Sequence, residues 1–259
     1  MRGLTATALL LTAPAAHAGA WLQPVGEGLV ISTVEAVSAS RAFGPDWKRD
    51  TDTDFQKQEV RVYGEFGLLR NLTLVGQTSA QTVSIKQSGG NIGFTGLGDV
   101  RFGARMPVWS SGRHLVSAEA TGRYQFGGEF IAGGDLVYRG PAAEARALYG
   151  YGWESAFLDV QAGYRSRLGQ GPDTWLVDAT VGYDLGKFTV SASAYGRLTG
   201  GGELEDEIEL DGTGSLKLRA GASMQVRDKS RVEVALITTA LGRNHVAESG
   251  AVVSTWSRF

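Results

Sequence analysis

The residues of this sequence that can do chemistry are mostly Arg, Lys, Asp and Glu side chains placed at every second position. In one stretch, Asp99, Arg101 and Arg105 alternate with an apolar row, which consists of Val100, Phe102, Ala104, Met106 and Val108. Guanidinium groups stay charged at physiological pH and bind carboxylates and phosphates bidentately. Such rows can therefore form ion pairs with one another or bind anions from solution.

Similar charged rows recur along the chain, and some of their residues are predicted to line one interior surface. The residues in this prediction are Arg61, Asp99, Arg101, Arg105, Glu119, Arg123, Arg146, Asp159, Arg165, Asp178, Lys217 and Arg219. Two interpretations stay open. Because buried charges must be paired, the rows favour an interior filled with salt bridges. Because rings of Arg and Lys select anions, their slight cationic excess also favours a narrow pathway for small or polymeric anionic solutes.

The elements that position these side chains follow from the period of the pattern. A period of two residues places successive side chains on opposite faces of a β-strand. The alternation recurs in about twelve segments, an even number, as single-chain bacterial barrels have. The sequence therefore predicts an all-β fold, a single-chain antiparallel transmembrane β-barrel. Its charged rows would face the lumen, and Val100, Phe102, Ala104 and Val108 would face lipid.

Connections between the predicted strands alternate between short and long. The short turns, expected in the periplasm together with both termini, lie near Arg70, Ser111, Ser155, Gly186 and Asp228. The longer polar segments, expected outside the cell, include residues 41–54, 127–142, 199–212 and 242–246. Aromatic residues near strand ends are expected in interfacial girdles, and these are Trp109, Trp153, Trp175, Tyr183 and Trp256.

Composition excludes several classes of protein. The 259 residues include no Cys, which excludes disulfides, thiolate metal sites and Cys nucleophiles. The formal charge of −2 gives no indication of nucleic-acid binding. Hydrophobic residues make up 42% of the chain and the mean hydropathy is −0.10, which is too low for a bundle of membrane-spanning helices. A barrel fits these values, because only half of each strand faces lipid.

The N-terminus has the pattern of a secretory signal peptide. Arg2 supplies the positive charge, residues 4–13 the apolar core, and Ala16-His17-Ala18 an A-x-A cleavage site. Residues 1–18 are predicted to be the signal peptide and residues 19–259 the barrel domain.

Other residues that can do chemistry form weaker patterns. An acidic loop could ligate divalent cations through its oxygens, but it lacks EF-hand spacing, which favours a solvated loop; its residues are Glu203, Glu205, Asp206, Glu207, Glu209 and Asp211. Beyond the predicted signal peptide the histidines are His114 and His245, and neither begins the His-x-Ser of outer-membrane phospholipases. The chain is therefore predicted not to be an enzyme and to hold no cofactor or metal.

Several motifs resemble those of known outer-membrane proteins. The predicted mature start, Gly19-Ala20-Trp21-Leu22-Gln23-Pro24, is similar to that of the XagA proteins. Tyr63-Gly64-Glu65-Phe66-Gly67-Leu68 and the ending Trp256-Ser257-Arg258-Phe259 fit the same resemblance. More loosely, Gly96-Leu97-Gly98-Asp99 is similar to barrels described as transporters of the MetA pathway of phenol degradation.

The resemblance implies a place in the cell and a set of partners. XagA proteins are outer-membrane proteins that are usually associated with polysaccharide or adhesin gene clusters. The resemblance therefore implies an outer-membrane barrel of a Gram-negative bacterium. Its exterior would contact outer-membrane lipid and lipopolysaccharide. Phe259 resembles the C-terminal signal that the barrel-insertion machinery recognises.

Three classes of function remain open at this point. The first is a channel, a transport barrel or a polysaccharide-export-associated protein with a charged lumen. The second is a structural or adhesion-related surface barrel with a plugged lumen, and the third is an outer-membrane hydrolase. A lumen wide enough for a solute favours the first class, a plugged lumen the second, and a His–Ser or Asp–Asp cluster at one rim the third.

The signal-peptide prediction has a direct test. Export should remove residues 1–18, because the A-x-A site ends at Ala18. Mass spectrometry of the protein extracted from outer membranes should find Gly19 at the N-terminus. An intact Met1 in that fraction would contradict the prediction.

Overall fold

The computed structural model describes residues 19–87, 90–126, 129–130, 136–137, 139–169, 171–204, 208–210 and 212–259. Twelve long strands of the described residues form one antiparallel sheet. They are β1 (Gly28–Phe43), β2 (Arg49–Leu69), β3 (Leu72–Gln87), β4 (Gly90–Ser111), β5 (His114–Gln125), β6 (Gly140–Gly152), β7 (Ala156–Arg167), β8 (Thr174–Leu185), β9 (Phe188–Thr199), β10 (Thr213–Arg227), β11 (Ser230–Arg243) and β12 (Ser249–Arg258). Among these residues, no helical segment has the length and hydropathy of a transmembrane helix.

The sheet closes on itself where β1 pairs with β12. Leu29 pairs with Arg258 at one end of this ladder, and β1 pairs with β2 on its other side. Gly28 and Phe259 extend the contact through two reciprocal backbone hydrogen bonds of 3.1 Å. Each of the twelve described strands therefore has a partner on both sides, as hydrocarbon requires of a spanning sheet. The predicted twelve-stranded antiparallel barrel is confirmed.

The two ends of the barrel differ in their connections. The end of the barrel with the short connections is called the turn end. The first residue of β1 and the last residue of β12 lie there, together with connections such as residues 70–71 and 186–187. At the other end, called the loop end, lie the remaining connections, most of which are longer, such as residues 168–173. The predicted alternation of short and long connections is present except between β3 and β4, which end at Gln87 and begin at Gly90 and are therefore joined at the loop end by as few residues as a short turn.

Two segments predicted as loops take part in the sheet. β1 continues to Phe43 and β2 begins at Arg49, so residues 44–48 alone connect them. His245–Val246 forms a short additional strand against Phe43 and Ala42. Backbone ladder hydrogen bonds continue past the point where side-chain alternation ends, and the sequence pattern therefore placed these boundaries too early.

Other predicted segments lie partly or wholly outside the described residues. The predicted signal peptide, residues 1–18, is one of them. Within the predicted loops 127–142 and 199–212, the structure describes two short hairpins, which join Glu129–Phe130 to Leu136–Val137 and Gly202–Leu204 to Ile208–Leu210. The acidic side chains of the second loop lie outside the description.

Apolar side chains cover the exterior of the barrel. Phe102 and Val108 are 63% and 66% exposed, Val100 is also exposed, and Ala104 is half-buried. These residues point outward, as predicted. Exposed apolar surface of this extent fits lipid rather than water.

Most of the predicted girdle residues lie on this exterior near the strand ends. They are Trp109, Trp153, Trp175 and Tyr183, all exposed. The prediction for Trp256 is wrong. Trp256 shares the inward row of β12 with Val252 and Ser254, and its Nε1 donates a hydrogen bond of 3.4 Å to Glu233.

The orientation of the apolar rows predicts how stability depends on depth. Leu236, at the middle of β11, is 69% exposed. Leu236→Arg should destabilise the barrel by about 2–4 kcal/mol, because lipid solvates a charge poorly at the bilayer midplane. Urea unfolding in lipid vesicles would measure the change.

Leu241→Arg is the matched control on the same strand. Leu241 also points outward but lies near the loop end of β11. Its substitution should cost about 0–1 kcal/mol, as for a residue at the membrane interface. Equal losses for both variants would contradict a lipid-facing β11.

Candidate functional site

Strand alternation positions the charged side chains of the interior. On β2, Lys57, Glu59 and Arg61 form one inward row, whereas Val60 and Val62 are exposed on the exterior. The same rule places charged residues from the other strands on the inner surface. The lumen is therefore lined by many ionisable groups in close contact.

At the turn end, Arg105 lies at the centre of a buried cluster. Its Nη1 donates a 2.9 Å hydrogen bond to Glu65, and its Nε and Nη2 donate to Oε2 of Glu119 at 3.1 and 2.8 Å. Nη2 also donates to the hydroxyl of Tyr63 at 3.0 Å. Arg105 is 2% exposed. Two carboxylates and a hydroxyl therefore occupy this guanidinium, which makes it a structural cation.

The segment that precedes β1 folds into the lumen next to this cluster. The backbone N–H of Ala20 donates to Asp159 at 2.8 Å, and its carbonyl accepts a 2.6 Å bond from Ser117. The carbonyl of Trp21 accepts from Arg105 at 3.0 Å, and Gln23 donates to Glu65 at 2.6 Å. Residues 19–27, here called the N-terminal segment, thus fill part of the lumen at the turn end. Sequence reasoning missed this, because the segment has no periodic pattern.

Two glycines make room for the N-terminal segment. A Cβ at Gly150 would lie 2.9 Å from the indole of Trp21. A Cβ at Gly67 would lie 2.0 Å from the carbonyl oxygen of Pro24. A larger residue at either position is incompatible with the observed path of the segment.

Midway along the barrel, two carboxylates are shared by four arginines. Glu144 accepts from Arg146 at 2.5 Å and from Arg165 at 2.8 Å, and it pairs with Arg101 at 3.4 Å. Asp178 pairs with Arg146 at 2.7 Å and with Arg197 at 2.5 Å. Each carboxylate therefore has more than one cation within reach, and the cluster carries net positive charge.

Further ion pairs lie on other parts of the inner surface. Asp99 accepts a 2.7 Å hydrogen bond from Ser79 and pairs with Arg123 at 3.1 Å. Other close pairs join Lys57 to Glu35 and Glu59, Arg61 to Glu59, Arg219 to Glu233, and Lys217 to Glu248. The structural interpretation, an interior rich in salt bridges, therefore describes much of this surface.

A cavity of about 420 Å³ remains within the lumen. Among the described residues, its wall carries nine Lys or Arg side chains and four Asp or Glu side chains. Glu144, Asp178 and Glu233 pair with wall cations without lining the cavity themselves. With these three included, seven acidic side chains face nine cationic ones, and the surroundings of the cavity have an excess of two positive charges.

The predicted site residues divide between this cavity and its surroundings. Those that line the cavity are Arg61, Asp99, Arg101, Arg123, Arg146, Arg165, Lys217 and Arg219. Arg105, Glu119 and Asp159 lie instead in the network around the N-terminal segment. Asp178 lies behind Arg146 and Arg197. The alternation of side chains indicates which face of a strand a residue occupies but not its height along the barrel axis. The sequence therefore could not separate the residues of the cavity wall from those around the N-terminal segment.

One side of the cavity is apolar, which sequence reasoning did not predict. This apolar wall consists of Phe55, Val83, Ile237, Val246 and Val252, all buried. The signal was present in β2, where Phe55 belongs to the same odd-numbered row as Lys57. The inward row of β2 is charged towards the turn end and becomes apolar at Phe55, near the loop end.

The two histidines of the described residues, His114 and His245, lie at opposite ends of the barrel. His114 lies near the turn end, with its ring 4.5 Å from that of Tyr151 and its Nδ1 2.8 Å from the hydroxyl of Tyr149. His245 lies at the loop end and lines the cavity. They do not meet in one catalytic cluster.

Comparison with known proteins identifies the architecture. No family model matches the chain, and no curated protein matches it in sequence. An outer membrane channel from Pseudomonas putida F1 superposes with a TM-score of 0.74 at 14% identity, covering 92% of this chain and 97% of that one. The chain has the fold of an outer-membrane β-barrel.

Two porins of lower similarity share this fold. The NanC porin has a TM-score of 0.55 at 8% identity, covering 86% of this chain and 98% of that one. The KdgM porin in complex with disordered oligogalacturonate has a TM-score of 0.52 at 6% identity, covering 89% and 99% of the two chains. At such identities the likeness establishes the fold.

Packing of the N-terminal segment is testable at Gly150. Gly150→Val should displace the indole of Trp21 and loosen residues 19–27, because its Cβ would contact the ring at 2.9 Å. Hydrogen exchange of the peptide that contains these residues should become faster. Gly152→Val is the control on the same strand, since a Cβ there has no heavy atom within 4 Å. Equal exchange in both variants would contradict the observed packing.

Proposed function

We propose that this protein is a channel of the bacterial outer membrane that passes small anionic solutes in preference to cations. The observation that carries the proposal is the cavity wall, where cationic side chains outnumber acidic ones. Rings of Arg and Lys in a narrow pore attract anions and repel cations.

The cations of the wall are mostly arginines, and this matters for selectivity. Guanidinium groups keep their charge at any physiological pH. The arginine wall, defined as Arg101, Arg123, Arg146, Arg165 and Arg197, spans five strands of the barrel. An anion would therefore meet fixed positive charge over a large part of its path.

The structural neighbours support a channel rather than an enzyme. One is an outer membrane channel and two are porins, one of them solved with oligogalacturonate, a polymer of sugar carboxylates. A polymeric anion is accordingly a second candidate solute, in line with a polysaccharide-export role. Membership of the XagA proteins stays a prediction, which rests on the sequence motifs.

The proposal includes a location and an orientation. The turn end would face the periplasm, because short connections of outer-membrane barrels lie there, and both mature termini would then be periplasmic. The apolar exterior would contact outer-membrane lipid and lipopolysaccharide. Phe259 would act as the insertion signal, and its backbone already extends the ladder that closes the barrel.

A structural or adhesion-related surface barrel is the second candidate. The observation that favours it is the N-terminal segment, which fills part of the lumen at the turn end. A barrel that this segment seals would pass no current. Conductance therefore separates the two candidates.

Ion selectivity is the measurement that tests the channel. In planar bilayers with a KCl gradient, the reversal potential should show that chloride is more permeant than potassium. The preference should weaken at high salt, because the screening length falls from about 10 Å at 0.1 M to about 3 Å at 1 M. Cation selectivity would overturn the proposal, and absence of conductance would favour the plugged barrel.

The double variant Arg101→Gln/Arg197→Gln tests which residues give the preference. It removes two wall cations while Glu144 keeps Arg146 and Arg165, and Asp178 keeps Arg146. The chloride preference should fall towards unity. Arg113→Gln is the control, since Arg113 pairs with Glu154 in the exposed turns and should leave selectivity unchanged. An unaltered preference in the double variant would show that other charges set it.

A further inference from the structure

The apolar wall is an unusual feature of a barrel interior, which is polar in most outer-membrane barrels. Its residues come from β2, β3, β11 and β12 and from the short strand His245–Val246. They belong to a larger buried apolar cluster that also includes residues of β1. Five consecutive strands around the ring thus present hydrocarbon to the lumen near the loop end.

The arginine wall lies on the other side of the same cavity. Its five residues come from β4, β5, β6, β7 and β9. Going around the closed ring, β1 lies at the centre of the apolar strands, and β7, which carries Arg165, is six strands away. These two strands are therefore on opposite sides of the twelve-stranded ring. Near the loop end the cavity therefore has hydrocarbon on one side and the arginine wall opposite, whereas the cations of β2, Lys57 and Arg61, follow Phe55 along the same row towards the turn end.

This arrangement has capacity left for a ligand. Arg101 makes only a long contact of 3.4 Å to Glu144, and the side chains of Arg101 and Arg197 are 14% and 34% exposed in the cavity wall. A guanidinium group has five N–H donors, so these two can bind a ligand oxygen in addition to their present partners. The volume of about 420 Å³ lies within the range of about 300–1,000 Å³ that small-molecule sites occupy.

We propose that the cavity binds small amphipathic carboxylates, with the carboxylate on the arginine wall and a hydrocarbon body against the apolar wall. This inference rests on the proposed anion channel and names the class of solute that it favours. A hydrophilic acid would satisfy the arginines but would leave the apolar wall without a matching surface. A neutral hydrocarbon would match the apolar wall and leave the guanidinium groups without an anion.

Block of the chloride current by hexanoate and gluconate tests the inference. The two anions have the same number of carbons and the same charge, but gluconate carries hydroxyl groups along its chain. Hexanoate should reduce the single-channel chloride current at concentrations where gluconate has no effect. From butanoate to hexanoate the blocking constant should improve by about threefold per methylene, because each buried methylene adds hydrophobic free energy.

Val252→Thr locates the effect within the barrel. Thr keeps the shape of Val but places a hydroxyl in the apolar wall, and the hexanoate constant should weaken at least threefold relative to that of gluconate. Val253→Thr is the matched control, because Val253 is the next residue of β12 and points outward. Ile237→Thr repeats the test on β11 if Val252→Thr does not fold.

The outcomes separate this inference from the proposed function. Equal block by hexanoate and gluconate, or no block by either in a chloride-selective channel, would overturn the amphipathic site and leave the anion channel standing. Hexanoate block that is the same in the parent, Val252→Thr and Ile237→Thr would also overturn it. A channel that lacks anion selectivity would instead refute the proposed function itself.

Discussion

Closure of the sheet between β1 and β12 is the constraint on which the rest of the structure depends. In hydrocarbon an unpaired backbone N–H or C=O group is strongly unfavourable, and the ladder from Leu29–Arg258 to Ser38–Ser249 removes the last free edges. Once the ring is closed, every strand has one face towards lipid and one towards the lumen. The apolar exterior and the charged interior are consequences of that geometry.

Charged side chains inside the barrel must form ion pairs with one another, and the ratio of cations to anions differs between the clusters. Arg105 is held by Glu65, Glu119 and Tyr63 and has no part in the cavity wall. Glu144, by contrast, is shared among three arginines. The first arrangement fixes a position in the structure, and the second leaves positive charge at the wall. One residue type thus performs structural work at the turn end and sets the electrostatic potential in the middle.

The sequence allowed the fold and the composition of the lumen to be predicted, because both depend on a local period of two. Val100 and Phe102 point outward and Arg101 inward for that reason alone. The N-terminal segment was not predictable in this way, since Ala20 and Trp21 are held by residues distant in sequence such as Asp159 and Arg105. The cavity could not be predicted from the sequence either, because the height of a residue along the barrel axis depends on strand register and tilt.

The pairings of β4 with β3 and with β5 each contain a β-bulge. These bulges indicate where insertions and deletions can be tolerated in the gene for this barrel. A single inserted or deleted codon within a strand exchanges its two rows, so that the lipid-facing residues enter the lumen. The irregularities between Thr78 and Ala80 and between Pro107 and Trp109 show where an odd residue is absorbed without that exchange. Length variation during evolution should therefore concentrate in the loops and at such bulges, and elsewhere in the strands it should come in steps of two codons.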